Sequence, residues 1–279
     1  MTISEKVIRE IKDILKKFVE EVIVRVNTDP KVKYDPINYP KEKTFHAALI
    51  PAEVTKLSKF ERSFSTSLGQ KIFEQIGEII GKYKYYEAKR TYRVEGLVYQ
   101  SELDFIERML RELEHKKTSS RTPNWEQELQ ELNRHASGAP TNVTVISDLY
   151  IKTPEKEMFF ELKSSKPNAD QSKVSKEKML KIQAIRRGKQ VETYFALPDN
   201  PYGTKEKYAW EHPKRYFDMN RSDCVLMGKD FWDYIGGKGT WEQLIQTFKE
   251  VGENTKQRIY DEFIFEKKEQ QQLDEFIKK

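Results

Sequence analysis

Apolar residues first recur at helical spacing over residues 4–26, where Val7, Ile8, Ile11, Ile14, Leu15, Phe18, Val19 and Val22 form one stripe. This predicts an amphipathic helix, with Thr2 and Glu5 spaced as a capping box. Pro30, Pro36, Pro40 and many charges interrupt the pattern over residues 27–44, which read as an extended loop. A second helix is predicted over about 66–81, with Leu68, Ile72, Ile76, Ile79 and Ile80 as its stripe. Tyr83 to Tyr99 is aromatic and β-branched and reads as strand or irregular structure, with Gly96 as a turn. Leu103, Ile106, Leu110 and Leu113 mark a helix over 101–116; a polar loop over 116–123, a short helix over 124–135 and a loop over 137–141 follow.

Two short runs rich in β-branched and aromatic residues come next, 143–152 and 157–163, with Pro154 between them. They predict a β-hairpin. A helix over about 172–187 and a strand over 191–197 continue the chain, a strand–helix–strand order that suggests a crossover. A turn cluster follows from Pro198 to Gly203, then a short strand at Cys224–Met227 and a helix from Lys229 to Tyr234. The tail, 241–279, reads as helical through Trp241, Leu244, Ile245, Phe248, Ile259, Phe263, Leu273, Phe276 and Ile277. Together these elements predict an α/β fold: a central mixed sheet of four to five strands, helices on both sides, and extra helical segments at both termini. We read residues 1–279 as one domain, with a core over about 60–240 and helical extensions over 1–45 and 241–279.

The hairpin carries the candidate chemistry. If Pro154 and Glu155 form a two-residue loop, Thr153 pairs with Lys156 and Asp148 lies directly opposite Glu161. Opposed residues share a face of an antiparallel pair, and Lys163, two residues beyond Glu161, shares it too. Met158, Phe160 and Leu162 then point the other way, into a core. Two carboxylates held side by side repel each other, and a hard divalent cation such as magnesium, which takes oxygen ligands, removes that conflict. A lysine beside them can steer a water or neutralise charge on a phosphate. The same spacing also fits a solvated strand face with incidental charges.

Composition bounds the remaining options. The 279 residues are 34% charged, with 50 basic and 45 acidic side chains and a formal net charge of +5. A balance this mildly basic requires any nucleic-acid surface to come from local clustering. Cys224 is the only cysteine, which excludes an intrachain disulfide, suits a reducing cytoplasm and reads as a buried small side chain. The N-terminus has no apolar signal core and no run reaches a membrane span, so a soluble intracellular protein is expected. No GxxxxGK or GxGxxG motif is present, so no nucleotide cofactor is expected. His46, His115, His135 and His212 are scattered without metal-ligand spacing and read as surface or structural.

Asp148 followed, after residues 149–160, by Glu161-Leu162-Lys163 is similar to the PD-(D/E)xK nuclease signature. The stretch 159–168 with the basic helix after it, and the stretch 225–237, resemble type II restriction endonucleases, in particular the TdeIII family, over about residues 60–240. The resemblance implies a restriction-endonuclease fold and magnesium-dependent cleavage of double-stranded DNA, with family members cutting at GGNCC. A palindromic target in turn implies a two-fold symmetric homodimer; the apolar stripes of the N-terminal helix and the C-terminal tail are candidate dimer surfaces. Asp148 and Glu161 would ligate the metal, with the Leu162 carbonyl as a further ligand, and Lys163 would orient or activate the water. Ser147 stands where the signature usually has proline. Many nucleases of this class add an acidic residue from a helix before the hairpin. Glu74 is the candidate by analogy; Glu74 and Glu78 also fit a solvated helix face.

Basic residues cluster between Lys163 and Lys189: Lys166, Lys173, Lys176, Lys178, Lys181, Arg186, Arg187 and Lys189, against Asp170 and Glu177. They predict a DNA-facing patch beginning at the site, with Lys166 the leading phosphate contact. Residues 198–222 offer Lys205, Lys207, Lys214, Arg215, Asn220 and Arg221 for base reading, among Tyr202, Tyr208, Trp210 and Tyr216, and equally fit an ordinary loop with buried aromatics. Arg121 is a weaker candidate in another loop. Two other functions fit the residues less well. A structure-specific repair or junction-resolving nuclease would need a smaller loop, and a non-catalytic DNA-binding protein would have no use for opposed carboxylates.

Overall fold

The computed structural model describes residues 3–33, 35, 38–50, 52–115 and 120–265. Thr2, residues 116–119 and the tail positions Leu273, Phe276 and Ile277 lie outside them. The protein divides into two compact units, one of Met1–Ile3 and Phe73–Glu242, the other of Ser4–Ile72 and Gln243–Lys279.

The second unit contains α1 (Glu5–Thr28), α2 (Tyr39–Glu42), α3 (Thr44–Leu49) and α4 (Ala52–Ser67). α1 is capped by Ser4, whose hydroxyl accepts from the Val7 N–H at 3.5 Å. Its stripe of Val7, Ile11, Leu15, Phe18, Val22 and Val26 is buried, and Phe18 meets Phe64 of α4 with ring centroids 4.9 Å apart. The Phe60 ring of α4 lies 4.6 Å, centroid to centroid, from that of Phe263 in the turn Asp261–Phe265, so segments distant in sequence pack into one unit. The stripe of α1 is therefore spent inside the chain and is not the free dimer surface its pattern suggested. Residues 27–44 hold α2 in place of a continuous extended loop. The helix predicted at 66–81 starts earlier, because α4 continues through the π-helical turn Leu68–Ile72 into α5 (Phe73–Lys84).

The first unit is built on β1 (Glu87–Tyr99), α6 (Gln100–Glu114), α7 (Trp125–Arg134), β2 (Pro140–Lys152), β3 (Glu157–Leu162), α8 (Ala169–Ile185), β4 (Val191–Leu197), β5 (Val225–Met227) and α9 (Lys229–Gly236). α10 (Thr240–Tyr260) follows. The five strands form one mixed sheet in the order β1-β2-β3-β4-β5. β1, β2 and β3 pair antiparallel; β3, β4 and β5 pair parallel. Parallel neighbours need a crossover, and α8 supplies the one between β3 and β4.

Helices cover both faces of the sheet. α5 lies on the face of Leu149 and Ile151, where Gly77 and Gly81 allow close approach, and Phe231 of α9 meets Phe160 there with centroids 5.8 Å apart. α8 covers the other face, where Ile182 packs with Val94, Val145, Tyr150 and Phe159. β3 is consequently buried from Met158 through Leu162, and Phe159 is as buried as the residues expected to face the core. Gly96 makes no turn: it lies inside β1, and a Cβ there would come 2.7 Å from Ile185 Cγ2. Among the described residues no helix is long and apolar enough to cross a membrane.

Gly81 gives a test of the α5–sheet contact. A Cβ at this position would sit 2.6 Å from the Ala88 Cβ, which cannot swing away. Gly81→Ala gains roughly 1 kcal/mol of helix propensity, while overpacking costs about 1–3 kcal/mol. Urea denaturation should show net destabilisation, and adding Ala88→Gly should recover part of it.

Candidate active site

The turn sets the hairpin register. The Thr153 N–H donates to the Lys156 carbonyl at 2.9 Å, and the Thr153 hydroxyl accepts from the N–H groups of Glu155 and Lys156, both at 3.1 Å. Lys152 then pairs with Glu157, Ile151 with Met158, Tyr150 with Phe159 and Leu149 with Phe160. The paired register ends at Leu149–Phe160; carried one rung further it sets Asp148 opposite Glu161. Here side chains replace part of the ladder. The Leu162 N–H donates to Asp148 Oδ2 at 2.9 Å, and the buried Ser147 hydroxyl donates toward the carbonyls of Leu149 at 3.1 Å and Phe160 at 3.3 Å. On the other side of β2, the pairs Arg90–Leu149 and Tyr92–Ser147 flank Thr91, which has φ +50°. The Lys163 N–H is held by the Ala196 carbonyl of β4 at 3.0 Å.

Four charged side chains meet on this rung. Lys163 Nζ donates to Asp148 Oδ2 and to the Leu162 carbonyl, each at 2.9 Å, and lies 3.6 Å from Glu161 Oε2. Lys178, from α8, approaches from elsewhere in the sequence: its Nζ is 2.6 Å from Glu161 Oε2 and 3.7 Å from Asp148 Oδ1. Glu161 is fully buried. That burial, reinforced by the Asp148 charge and only partly offset by Lys178 and Lys163, pushes its pKa up to about 7. Burial opposes the charge on Lys163, but the Asp148 and Glu161 carboxylates outweigh it and hold its pKa above the ordinary lysine value.

Glu74 belongs to the same electrostatic cluster. Burial and the Asp148 charge raise its pKa to about 7 against the opposing pull of Arg90, Lys163 and Lys178. Glu78, one turn on, has a different job: it accepts from Arg90 at 2.8 Å and pairs with Lys82 at 3.0 Å. Burial works to raise its pKa, but these hydrogen bonds win and lower it.

The donor set suits a hard cation that keeps several waters. Asp148 and Glu161 offer oxygens from adjacent strands, and Glu161 Oε1 is buried without a hydrogen-bond partner. The Leu162 carbonyl lies within the same cluster, with the Lys163 ammonium on it. No group of three or more His, Cys, Asp or Glu among the described residues forms a larger ligand set, so two carboxylates, a carbonyl and water are what the rung can provide.

The predicted basic patch is mostly spent inside the protein. Lys176 is buried, ion-paired with Glu128 and bonded to the Tyr216 carbonyl at 2.9 Å. Lys173 pairs with Glu114 and Lys181 with Glu177. Arg186 lies 3.2 Å from Glu157 and Arg187 pairs with Glu102, so neither guanidinium is a freely presented phosphate contact. Arg121 is held by Glu112 and Glu131. α8 turns a face toward the sheet, and its charged residues on and beside that face find internal partners.

The loop 198–222 has two characters. Tyr208, Tyr216, Phe217 and Met219 are buried. The Tyr208 hydroxyl donates to the Ser165 carbonyl at 2.9 Å and Trp210 Nε1 to the Pro167 carbonyl at 2.8 Å, which ties the loop to the segment just after Lys163. Lys205 donates to the Ser222 carbonyl, and Asn220 to the carbonyls of Lys205, Glu206 and Tyr208, so both hold the loop together. Lys207 and Arg221 are exposed. Lys166 is exposed as well, with Nζ 5.9 Å and 5.7 Å from the ring centroids of Tyr202 and Trp210. Cys224 is buried as expected, which raises its thiol pKa to about 11.

Lys178 is the site residue that sequence reasoning misplaced. A signal was available: it stands one turn before Ile182, which packs on the sheet, and therefore on the inward side of α8.

Comparison with known proteins identifies the family. Residues 2–252 match the family model "HinfI: Type II restriction endonuclease, HinfI". The chain is 30% identical over 265 residues to the type II restriction enzyme HgiBI of Herpetosiphon aurantiacus, covering 90% of this chain and 95% of that enzyme. It is 33% identical over 219 residues to HgiEI of the same organism, covering 75% of this chain and 77% of that enzyme. The motifs pointed to TdeIII and the matching model is HinfI; the two agree at the level of type II restriction endonucleases. The chain belongs to the HinfI family of type II restriction endonucleases, enzymes that cut DNA at specific sites.

Proposed function

We propose that the chain hydrolyses one phosphodiester in each strand of a short GC-rich palindrome of the GGNCC type, as a magnesium-dependent cytoplasmic homodimer. The observation that carries this reading is the meeting of Asp148, Glu161 and Lys163 on one rung, with Lys163 Nζ 2.9 Å from Asp148 Oδ2. Asp148 and Glu161 would hold the magnesium ion, with the Leu162 carbonyl as a further ligand and Glu74 assisting through the ion or its waters. The chemistry such an ion brings when bound is Lewis-acid charge on the phosphate and a more acidic water.

The chain's own residues do the rest. Lys163 is held by Asp148 and the Leu162 carbonyl and orients water beside the scissile phosphate, where its ammonium offsets developing negative charge. Lys166, exposed three residues on, neutralises a neighbouring phosphate. Lys207 and Arg221 project from a loop anchored to residues 165 and 167, a suitable place for reading base edges. A self-complementary target calls for two-fold pairing of subunits. Plasmid incubated with magnesium should give discrete fragments, and sequencing their ends gives the site; structure-dependent nicks or no cleavage would overturn the reading.

Asp148→Ala and Glu161→Ala should each lower the cleavage rate by roughly a thousandfold or more. Circular dichroism should show both variants folded, and metal-free DNA binding should persist or tighten, because a carboxylate facing phosphate has gone. Near wild-type cleavage by Asp148→Ala would place the site elsewhere.

Lys163→Ala should lose most activity, and Lys163→Arg should not restore it. Arginine keeps the charge but is bulkier, and its planar, fixed donor fork does not match the compact ammonium that bonds both Asp148 and the Leu162 carbonyl. Single-turnover cleavage rates decide it: full activity in the arginine variant would reduce Lys163 to a generic positive charge.

Lys166→Ala should weaken target and scrambled duplexes alike and lower the salt dependence by about one phosphate contact. Lys207→Ala or Arg221→Ala should cost roughly 1–3 kcal/mol on the target only. Affinities for both duplexes across a salt series separate the two roles, and a target-selective loss in Lys166→Ala would contradict the assignment.

A further inference from the structure

Lys178 reaches the site from α8, not from the signature strand, and its place is specific. Its ammonium lies 2.6 Å from Glu161 Oε2 and 3.7 Å from Asp148 Oδ1, while Lys163 takes the other Asp148 oxygen. That is the place between the two carboxylates that a shared cation would take. An ammonium and a divalent ion cannot both occupy it, since like charges at such range repel strongly in a poorly solvated site.

The two lysines are not equally free to leave. Lys163 Nζ is also fixed by the Leu162 carbonyl. Lys178 Nζ touches only the carboxylates among its described partners, on a flexible stem whose helix is pinned to the sheet through Ile182. The fully buried Glu161, when ionised, needs a counter-charge if no other cation is present.

We propose that Lys178 is a resident counter-cation, a positioning residue that fills the shared carboxylate position in the metal-free enzyme and yields it when a divalent ion binds. The proposal rests on the metal-binding role given above to Asp148 and Glu161. The ammonium then competes with the ion and weakens its affinity, and in exchange it keeps the carboxylate pair stable when metal is scarce.

The test uses the full chain as wild type, K178M, K178Q, K178R and D148A. Thermal unfolding is followed in EDTA and across a CaCl2 series, and calcium affinity is measured by calorimetry. K178M should lose roughly 5–10 °C of Tm in EDTA and bind calcium about tenfold tighter than wild type. K178R, which keeps the charge, should behave as wild type in both. Should K178M fail to fold, K178Q, whose amide can still donate to Glu161, should show the same tightening. A lower Tm with unchanged or weaker calcium affinity is what a merely structural lysine would give, and it overturns the proposal. D148A should lose the calcium response. If it keeps that response, the carboxylates are not the ion site and the underlying reading fails as well; if D148A loses it while K178M and K178Q do not tighten, the role of Lys178 alone is wrong.

Discussion

Two carboxylates on one rung of a strand pair are the constraint on which the rest of the site depends. Asp148 and Glu161 repel each other, and Glu161 is shut away from water. Stability then demands positive charge within a few ångströms, and the fold brings it from two directions. Lys163 comes from the end of β3 itself. Lys178 arrives because β3 and β4 are parallel neighbours, which forces the connecting helix across the sheet. The topology that makes the sheet mixed thus also delivers the second counter-charge.

Charge was the least reliable guide to the surface. The run from Lys163 to Lys189 is dense in lysine and arginine, yet most of it is consumed locally. Lys176 lies in a buried pair with Glu128, where burial raises the glutamate pKa in spite of the lysine. A buried pair of this kind contributes little net stability but is costly to break. Lys178 turns into the site and both arginines meet carboxylates. What remains exposed in that run and in the 198–222 loop is Lys166, Lys189, Lys207 and Arg221, with Arg187 exposed but paired to Glu102. A chain with a net charge of only +5 has little excess to spend, so phosphate contacts must be few and well placed.

The parts that sequence disclosed are those where local chemistry and long-range structure agree. The Thr153–Lys156 turn is encoded within four residues, and the register it starts runs from Lys152–Glu157 to Leu149–Phe160, one rung short of Asp148 and Glu161. The crossover helix and β4 appear where expected. The helix Ala52–Ser67 was not legible, because its apolar residues are few and it is held by Phe64 on Phe18 and Phe60 on Phe263, both distant in sequence. Gly96 misled because glycine serves two ends: the residue that permits a turn also permits a helix to press against a strand, here Ile185 on β1. Lys176 and Lys178 misled because residue type says surface while their helix face says interior.

The irregularity at Thr91 ties the backbone to the chemistry. A β-branched residue at φ +50° stores on the order of 1–3 kcal/mol. It persists because its neighbours over-determine it: Arg90 and Tyr92 stay in register with Leu149 and Ser147, and the Tyr92 ring stacks on Tyr150 at 3.9 Å. The strained position is the one opposite Asp148. On the other side of the same aspartate, the Leu162 N–H bonds to the carboxylate. A regular rung would give that N–H a backbone carbonyl and leave Asp148 free to rotate. As built, Oδ2 is fixed by Leu162 and Lys163, and Oδ1 is left facing Lys178. The distorted rung therefore aims one carboxylate oxygen at a second cation, and the strain is carried by Thr91, across the strand pair from the aspartate it helps to orient.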